Sequence, residues 1–319
     1  MKRLILVVLL CVVPIVARAQ QSDSLLVMFW NLENFFDWKD QGIGESDKEF
    51  SSYGVRSWTK SRFYSKCSTI SKAIFFTADK YGRVPDVLGL CEVENRGVLS
   101  RLLSSTLLRK YDYSIVHLDS GDRRGIDVAL LYRKSTLQLL STSFKTPVFN
   151  GEKMSTRDML HAQMKCISSG DTLDFIVCHH PSKYGGEEHS RSRRIAAMKS
   201  LRELCDSLAS YSKVVMGDFN DIPSAEQFNE VSEILINKSE ILHNNGEGTI
   251  RYKGKWELID MFLTSYDIGH LTQMQIIKIP FLMTYDKSFP GEKPLRTYSG
   301  PKYLGGVSDH CPIILRLAL

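Results

Sequence analysis

Short apolar runs of branched and aromatic residues recur along this chain, and most of them end on a side chain able to do chemistry. Residues 25–30, 86–90, 113–116, 126–132, 173–178, 213–216, 258–263 and 312–317 have the length and composition of buried β-strands. Between several of them the apolar spacing becomes helical, over residues 58–80 (Phe63, Ile70, Ile74, Phe75), 98–108 and 195–208. Strands with helices interposed, beside strands that follow one another directly, predict a layered α/β or α+β fold. No repeat, low-complexity tract or Ser/Pro/Gly linker divides the 319 residues. A chain of that length can bury a large core.

Ahead of the first run, Lys2 and Arg3 precede an apolar stretch, residues 4–16, that closes on Ala17-Arg18-Ala19. A positive start, a short apolar centre and a small-x-small end form the pattern of a cleaved secretory signal, too short for a permanent membrane span. Residues 1–19 are therefore expected to be removed, and residues 20–319 to form one exported domain, periplasmic or secreted. No later segment has the apolar length of a span, so stable membrane insertion is not expected, and a monomer is the working assumption. Cys11 leaves with the signal, while Cys67, Cys91, Cys166, Cys178, Cys205 and Cys311 remain. With no CxxC pair, and with Cys91, Cys166 and Cys178 in or beside apolar runs, buried free thiols are favoured over a disulfide framework or a zinc site.

The run ends carry the functional signal. Asn31 follows the first run, Glu92 the second, and His179 the run at 173–178. Asp218 and Asn220 follow the run at 213–216, Asp260 lies within 258–263, and Asp309-His310 precedes the last run. Polar groups at strand ends can converge on one rim of a sheet sandwich while apolar residues fill its interior. Carboxylates, amides and imidazoles gathered in this way are the kit for hydrolysis assisted by a hard divalent cation.

Six strings occur in order: Phe29-Trp30-Asn31-Leu32-Glu33-Asn34, Gly89-Leu90-Cys91-Glu92-Val93-Glu94-Asn95, Cys178-His179-His180-Pro181-Ser182, Gly217-Asp218-Phe219-Asn220-Asp221, Leu258-Ile259-Asp260 and Ser308-Asp309-His310. Together they resemble the endonuclease/exonuclease/phosphatase superfamily, which includes pancreatic deoxyribonuclease, exonuclease III and inositol polyphosphate 5-phosphatases. The resemblance runs over residues 25–318. It implies a four-layered sandwich, two mixed β-sheets packed face to face with helices outside, and hydrolysis of a phosphate ester with Mg²⁺ or Mn²⁺. Glu92 then matches the metal-binding carboxylate, Asn31 an amide ordering metal and phosphate, and Asp309 a further carboxylate near the metal. Asp218 matches the acid that orients or deprotonates the attacking water, Asn220 the amide steadying the phosphoryl group, and Asp260 with His310 the family's Asp–His pair. Aligning Pro181-Ser182 selects His179 as the phosphate-contacting imidazole and general-acid candidate, leaving His180 to a packing or rim role. Asp218 and Asn220, two residues apart, face the same side if the segment is extended.

Arg124, held by Asp127, together with Arg157 and Ser182, are expected substrate contacts. Lys183, Tyr184, Arg191, Arg193 and Arg194 make a basic stretch after the histidine motif, with Arg193 and Arg194 facing solvent at a helix start. The segment 248–256, with Arg251, Tyr252, Lys253, Lys255 and Trp256, is expected to wall the pocket, as are Arg296 and Tyr298.

These readings point first to a phosphodiesterase or endonuclease acting on DNA or RNA. The alternatives are a phosphomonoesterase, a lipid-headgroup or inositol-phosphate hydrolase and, in another class, an inactive binding module. The formal charge of +5 comes from 41 basic and 36 acidic residues. Lys2, Arg3 and Arg18 lie in the signal, which leaves 38 against 36, a balance of +2. A nearly neutral protein does not hold a long polyanion by global charge, so attraction to phosphate must be local.

Overall fold

The computed structural model describes residues 24–319 except 43, 184–185 and 210–211. The expected signal segment, residues 1–19, and Tyr184 lie outside the described residues. In chain order the principal strands are β1 (Ser24–Phe35), β2 (Val87–Val93), β3 (Tyr113–His117), β4 (Asp127–Arg133), β5 (Leu137–Lys145) and β6 (Met159–Cys166). They continue as β7 (Thr172–His179), β8 (Lys213–Asp218), β9 (Leu235–Asn237), β10 (Asp260–Ser265), β11 (Thr272–Ile276) and β12 (Ile313–Ala318). The long helices are α1 (Lys60–Tyr81), α2 (Arg96–Ser105) and α3 (Glu187–Ser207).

Two six-stranded mixed sheets result, one ordered β11-β12-β1-β2-β4-β3 and the other β9-β10-β8-β7-β6-β5. Alternation along the strands explains how they stack. Val27, Phe29, Phe175, Val177, Met216 and Phe262 share the core between the sheets. Their neighbours Met28, Trp30, Leu88 and Leu90 turn outward onto Phe63, Ile70 and Ile74 of α1 and Val98 and Leu102 of α2. On the other side Ile176, Cys178, Val215 and Met261 meet Met198, Leu201 and Leu204 of α3. A strand covered on both faces reads as an unbroken apolar run rather than an alternating one, which is why the central strands stand out in the sequence. At Gly89 a Cβ would collide with the Met216 sulfur, so this residue lets the two sheets approach.

Local sequence sets the element ends. Thr59 caps α1 by accepting from the Arg62 amide, and Gly82, in the left-handed conformation at φ 71°, ends it. Asn95 caps α2 in the same way through the Val98 amide. The helix expected over 98–108 is α2 followed by a short 3₁₀ turn, Leu107–Lys110. Cys67, Cys91, Cys166, Cys178, Cys205 and Cys311 are all buried free thiols. Among the described residues no helix is long and apolar enough to cross a membrane.

Candidate active site

Topology brings the chemistry to one rim. In each sheet the central pair is parallel, β1 with β2 and β7 with β8, and each pair is joined through a helix, α1 or α3. Parallel strands end at the same edge, so Asn31 and Glu92 come together from one sheet and His179 and Asp218 from the other. Antiparallel partners bring their beginnings to that edge. Asp260, the first residue of β10, lies in register with Asp218, and Asp218 with His179. His310 precedes β12, which runs antiparallel to β1. Asn31 ties the sheets together, its Nδ2 donating to Asp218 Oδ2 at 3.1 Å.

The second-sheet half of the rim is buried. Asp218 Oδ1 accepts from the Asn220 amide at 2.9 Å. Its Oδ2 lies 3.6 Å from His179 Nε2 and 3.9 Å from His310 Nε2. On its far side His310 Nδ1 meets Asp260 Oδ2 at 2.8 Å. Burial, and then the neighbouring Asp260 charge, push the Asp218 carboxyl up to about 7. Burial works against a charged His310, but Asp260 and then Asp218 and Asp309 outweigh it and hold the imidazole well above its ordinary value. His179 moves the opposite way: burial, then Arg157 and Arg124, hold it well below the usual range. The surroundings of His179 therefore disfavour the charged form that its expected general-acid role needs, while those of His310 favour it.

The first-sheet half is built of carboxylates matched by cations. Glu92 Oε2 accepts from the Asn34 amide at 2.8 Å and from Arg124 Nη2 at 3.3 Å. Arg124 also donates to Asn34 Oδ1 at 2.6 Å. Glu33 accepts from Arg296 Nε at 2.9 Å and from the Thr297 amide at 2.8 Å. Arg296 reaches on to Asp309 at 3.0 Å. Beneath them the buried Lys66 Nζ donates to the Glu33 carbonyl at 2.6 Å and to Thr297 Oγ1 at 2.9 Å. Burial, with Asp309 adding to it, raises Glu33 to about 7. Burial lowers Lys66 to about 8. Glu33, Asn34 and Glu92 all hold positive φ, at 46°, 52° and 57°. A cluster of non-glycine residues in this region marks backbone held under strain by its surroundings.

Several expectations are corrected. Asp127 does not hold Arg124; its Oδ1 accepts from the Ser120 amide at 2.9 Å, while Asn34 and Glu92 hold Arg124. Arg157, only 7% exposed, donates to the His180 carbonyl at 2.7 Å and to Asp122 at 3.1 Å, so it fixes the histidine loop instead of reaching for substrate. Asn220 is not on an extended segment: β8 stops at Asp218, Asn220 has φ 53°, and its Nδ2 donates to the same His180 carbonyl at 3.0 Å. Arg194 is not at a helix start facing solvent. It lies inside α3, fully buried, and bonds Asp221, Ser190 and Glu187. Tyr298 belongs to the core beside Phe50, Trp58 and Tyr303 rather than to a pocket wall.

His180 does pack, its ring edge-on to Phe219 at 5.0 Å between centroids. Ser182 is exposed just past it. The expected wall at 248–256 forms a hairpin, Ile250–Tyr252 with Lys255–Glu257, and Thr249 at its base accepts from the Asp260 amide at 3.3 Å.

The reading from sequence omitted Glu33, Asn34, Lys66 and Thr297 as site residues. Lys66 had a signal, since it interrupts the apolar face of α1 at helical spacing from Phe63 and Ile70.

The donor set fits a hard divalent cation. Glu92 and Asp309 are partly exposed carboxylates, with side chains 13% and 39% accessible. The Asn31 Oδ1 accepts one bond, from the Glu33 amide at 2.8 Å, and keeps a second lone pair. Beside this set stands a second, buried cluster: Asp260 Oδ1 has no hydrogen-bond partner, and ligand atoms of Asp218, Asp260 and His310 lie within 4.8 Å of one another, where a charged His310 would take the place of an ion.

Residues 26–319 match the model of the Endonuclease/Exonuclease/phosphatase family. Solved structures share the fold over nearly the whole chain at low identity. An endonuclease/exonuclease/phosphatase family protein from Bacteroides thetaiotaomicron is 16% identical, with a TM-score of 0.58 over 93% of this chain and 98% of that one. The mannosyl-6-phosphatase of the same organism is 15% identical, with a TM-score of 0.57 over 92% and 100%. A humanized D. rerio TDP2 is 15% identical, with a TM-score of 0.58 over 93% and 100%. No curated protein matches the chain.

Proposed function

The chain belongs to the endonuclease/exonuclease/phosphatase family, whose members are phosphoester hydrolases, and from that premise we propose that it is an exported phosphodiesterase using Mg²⁺ or Mn²⁺, with nucleic-acid phosphodiesters as its leading substrate. The observation that carries the reading is the cluster on one rim in which the buried Asp218 carboxyl, raised to about 7 by burial and Asp260, lies 3.9 Å from His310 Nε2 while His310 Nδ1 meets Asp260 at 2.8 Å. An acceptor poised near neutrality and a fixed donor are what water attack on an ester needs.

Glu92, Asp309 and Asn31 would hold the cation, which would supply neutralisation of charge on the phosphoryl oxygens. Arg124 and Arg296 bind non-bridging oxygens, and the bonds to Asn34, Glu92 and Glu33 fix their positions. Asp218 takes the proton from the attacking water. His310, kept oriented by Asp260, donates from Nε2 to the oxygen gaining charge. His179 hydrogen-bonds the phosphoryl group as a neutral ring, and Arg157 and Asn220 hold the His180 carbonyl and so the loop that follows it.

The choice between a diester and a monoester falls to the substrate, because Glu33 and Asp218, both raised to about 7, make the net charge of the rim depend on pH. A panel of bis-p-nitrophenyl phosphate, p-nitrophenyl phosphate, DNA, RNA and sphingomyelin, each with and without chelator, tests this. Turnover of the diesters that chelator and Asp218→Asn both abolish is expected. Turnover of the monoester alone overturns the diester assignment, and no turnover of any of them favours a binding module. Export is tested by the mass of the purified protein, which should begin at Gln20.

A further inference from the structure

We propose that the chain holds a second divalent-cation site, outside the catalytic rim, formed by His117, Asp119 and Asp127. His117 ends β3, Asp127 begins β4, and Asp119 lies in the loop between them. Ligand atoms of the three lie within 4.8 Å of one another.

The independent sign is the state of the His117 ring. Its side chain is only 2% exposed, yet its Nε2 has no hydrogen-bond partner. That nitrogen stands 3.5 Å from Asp127 Oδ2, and Nδ1 stands 3.8 Å from Asp119 Oδ1. These separations are too long for good hydrogen bonds. The nitrogen–oxygen gap at Asp127 is the spacing of two ligands that share one ion at roughly 2.0–2.2 Å each. A buried imidazole normally finds a partner.

The surroundings favour a cation. The adjoining cavity, about 450 Å³, is lined by Asp47, Glu94, Asp119, Asp122 and Asp127 and by no lysine or arginine. Glu94, raised to about 8 chiefly by burial, is paired there with Asp47. One imidazole and two carboxylates select a borderline ion of the Zn²⁺ or Mn²⁺ class over Ca²⁺ or Mg²⁺, which prefer all-oxygen sets. Exposed Asp119 gives the ion an entry path.

The site has a consequence for the rim. The loop 118–126 carries Arg124, which meets Glu92, and Asp122, which holds Arg157. An ion tying the two ends of that loop together fixes both contacts.

Calorimetric titration of Zn²⁺, and separately of Mn²⁺, into chelator-stripped protein tests the site. Wild type is compared with Glu92→Gln, and with Glu92→Gln combined with His117→Gln or with Asp119→Asn. One ion per chain is expected to persist in Glu92→Gln and to bind at least tenfold more weakly in both combinations. Asp119 is exposed, so its substitution leaves the fold intact, and equal melting temperatures in chelator confirm that the proteins compared are folded. Loss of all binding in Glu92→Gln, or binding there that is indifferent to His117→Gln and Asp119→Asn, overturns the proposal. The measurement involves no turnover, so it stands or falls separately from the hydrolase reading.

Discussion

The two halves of the rim solve the problem of buried charge in opposite ways. In the first-sheet half each carboxylate meets a cation: Glu92 meets Arg124, while Glu33 and Asp309 share Arg296, with Lys66 beneath. In the second-sheet half Asp218 and Asp260 meet imidazoles and amides. A guanidinium does not titrate near neutrality, so Arg124 and Arg296 keep their charge fixed in place, beside a Glu33 raised to about 7 and a Lys66 lowered to about 8. An imidazole–carboxyl cluster does titrate, so the second half can move a proton. On the proposed mechanism binding and chemistry are thus divided between the sheets, with Asn31 as the link.

The division is broken most severely at Asp218. Asp218→Asn keeps the shape but removes the proton acceptor, and a loss of about 10²–10⁴-fold in kcat is expected, within the range for a general base. Because the carboxyl lies near 7, wild-type activity should climb as pH rises through that value while the acceptor ionises. The variant should lose that limb. A variant that keeps both its rate and its pH profile breaks the comparison.

Glu92→Gln and Asp260→Asn separate the halves more finely. If Glu92 holds the ion, Glu92→Gln raises the metal concentration needed for half-maximal rate by at least roughly tenfold. Asp260→Asn should lower kcat at saturating metal and leave that concentration unchanged, because Asp260 acts through His310. Parallel metal titrations of both variants check this, and equal shifts in the two would show that the rim is not divided.

The sheets were legible because their central strands are covered on both sides, so runs such as 173–178 and 213–216 stand out as unbroken apolar stretches. β5 and β6 were not legible. β5 is an edge strand, with Leu140 exposed and polar residues on both faces, so its pattern resembles a loop. The same contrast holds within the site. Groups at the ends of apolar runs, Glu92, His179, Asp218, Asp260 and His310, could be read from position. The ion pairs of the first half could not, since Glu33 and Arg296 are 263 residues apart and meet through a left-handed turn that propensity does not announce. Arg157 was placed near the site, but its direction depends on which carbonyl it finds.

Lys66 tests whether the first half needs its buried cation. Lys66→Met leaves Glu33 facing Asp309 with less compensation and orphans the acceptors at Glu33 and Thr297. Removing one partner of a buried charge pair typically costs about 3–5 kcal/mol, which urea unfolding at neutral pH will measure. A neutral result would mean that Arg296 alone balances Glu33. The first half would then be less like an interlocked salt cluster than its geometry indicates.

The smallest expected effect lies at His180, beside the second half but outside its chemistry. Burial, then Arg157 and Arg194, lower this imidazole to about 3, and neither ring nitrogen has a partner. Between about 6.5 and about 3 the unfolded chain protonates this residue and the folded one does not. The unfolded state therefore binds more protons in that window, and the protein loses stability as pH falls through it. His180→Phe keeps a ring against Phe219 and removes this acid sensitivity. At pH 5 the gain relative to wild type is about 2 kcal/mol, from ~1.4 kcal/mol per unit of displacement, and it should vanish near pH 7.5. Urea unfolding at the two pH values reads it directly. Activity should survive His180→Phe and collapse in His179→Ala, because the first residue packs against Phe219 and the second is the proposed phosphate contact. The reverse result would exchange the roles of the two histidines and move the phosphate-contacting ring to the first residue past the end of β7.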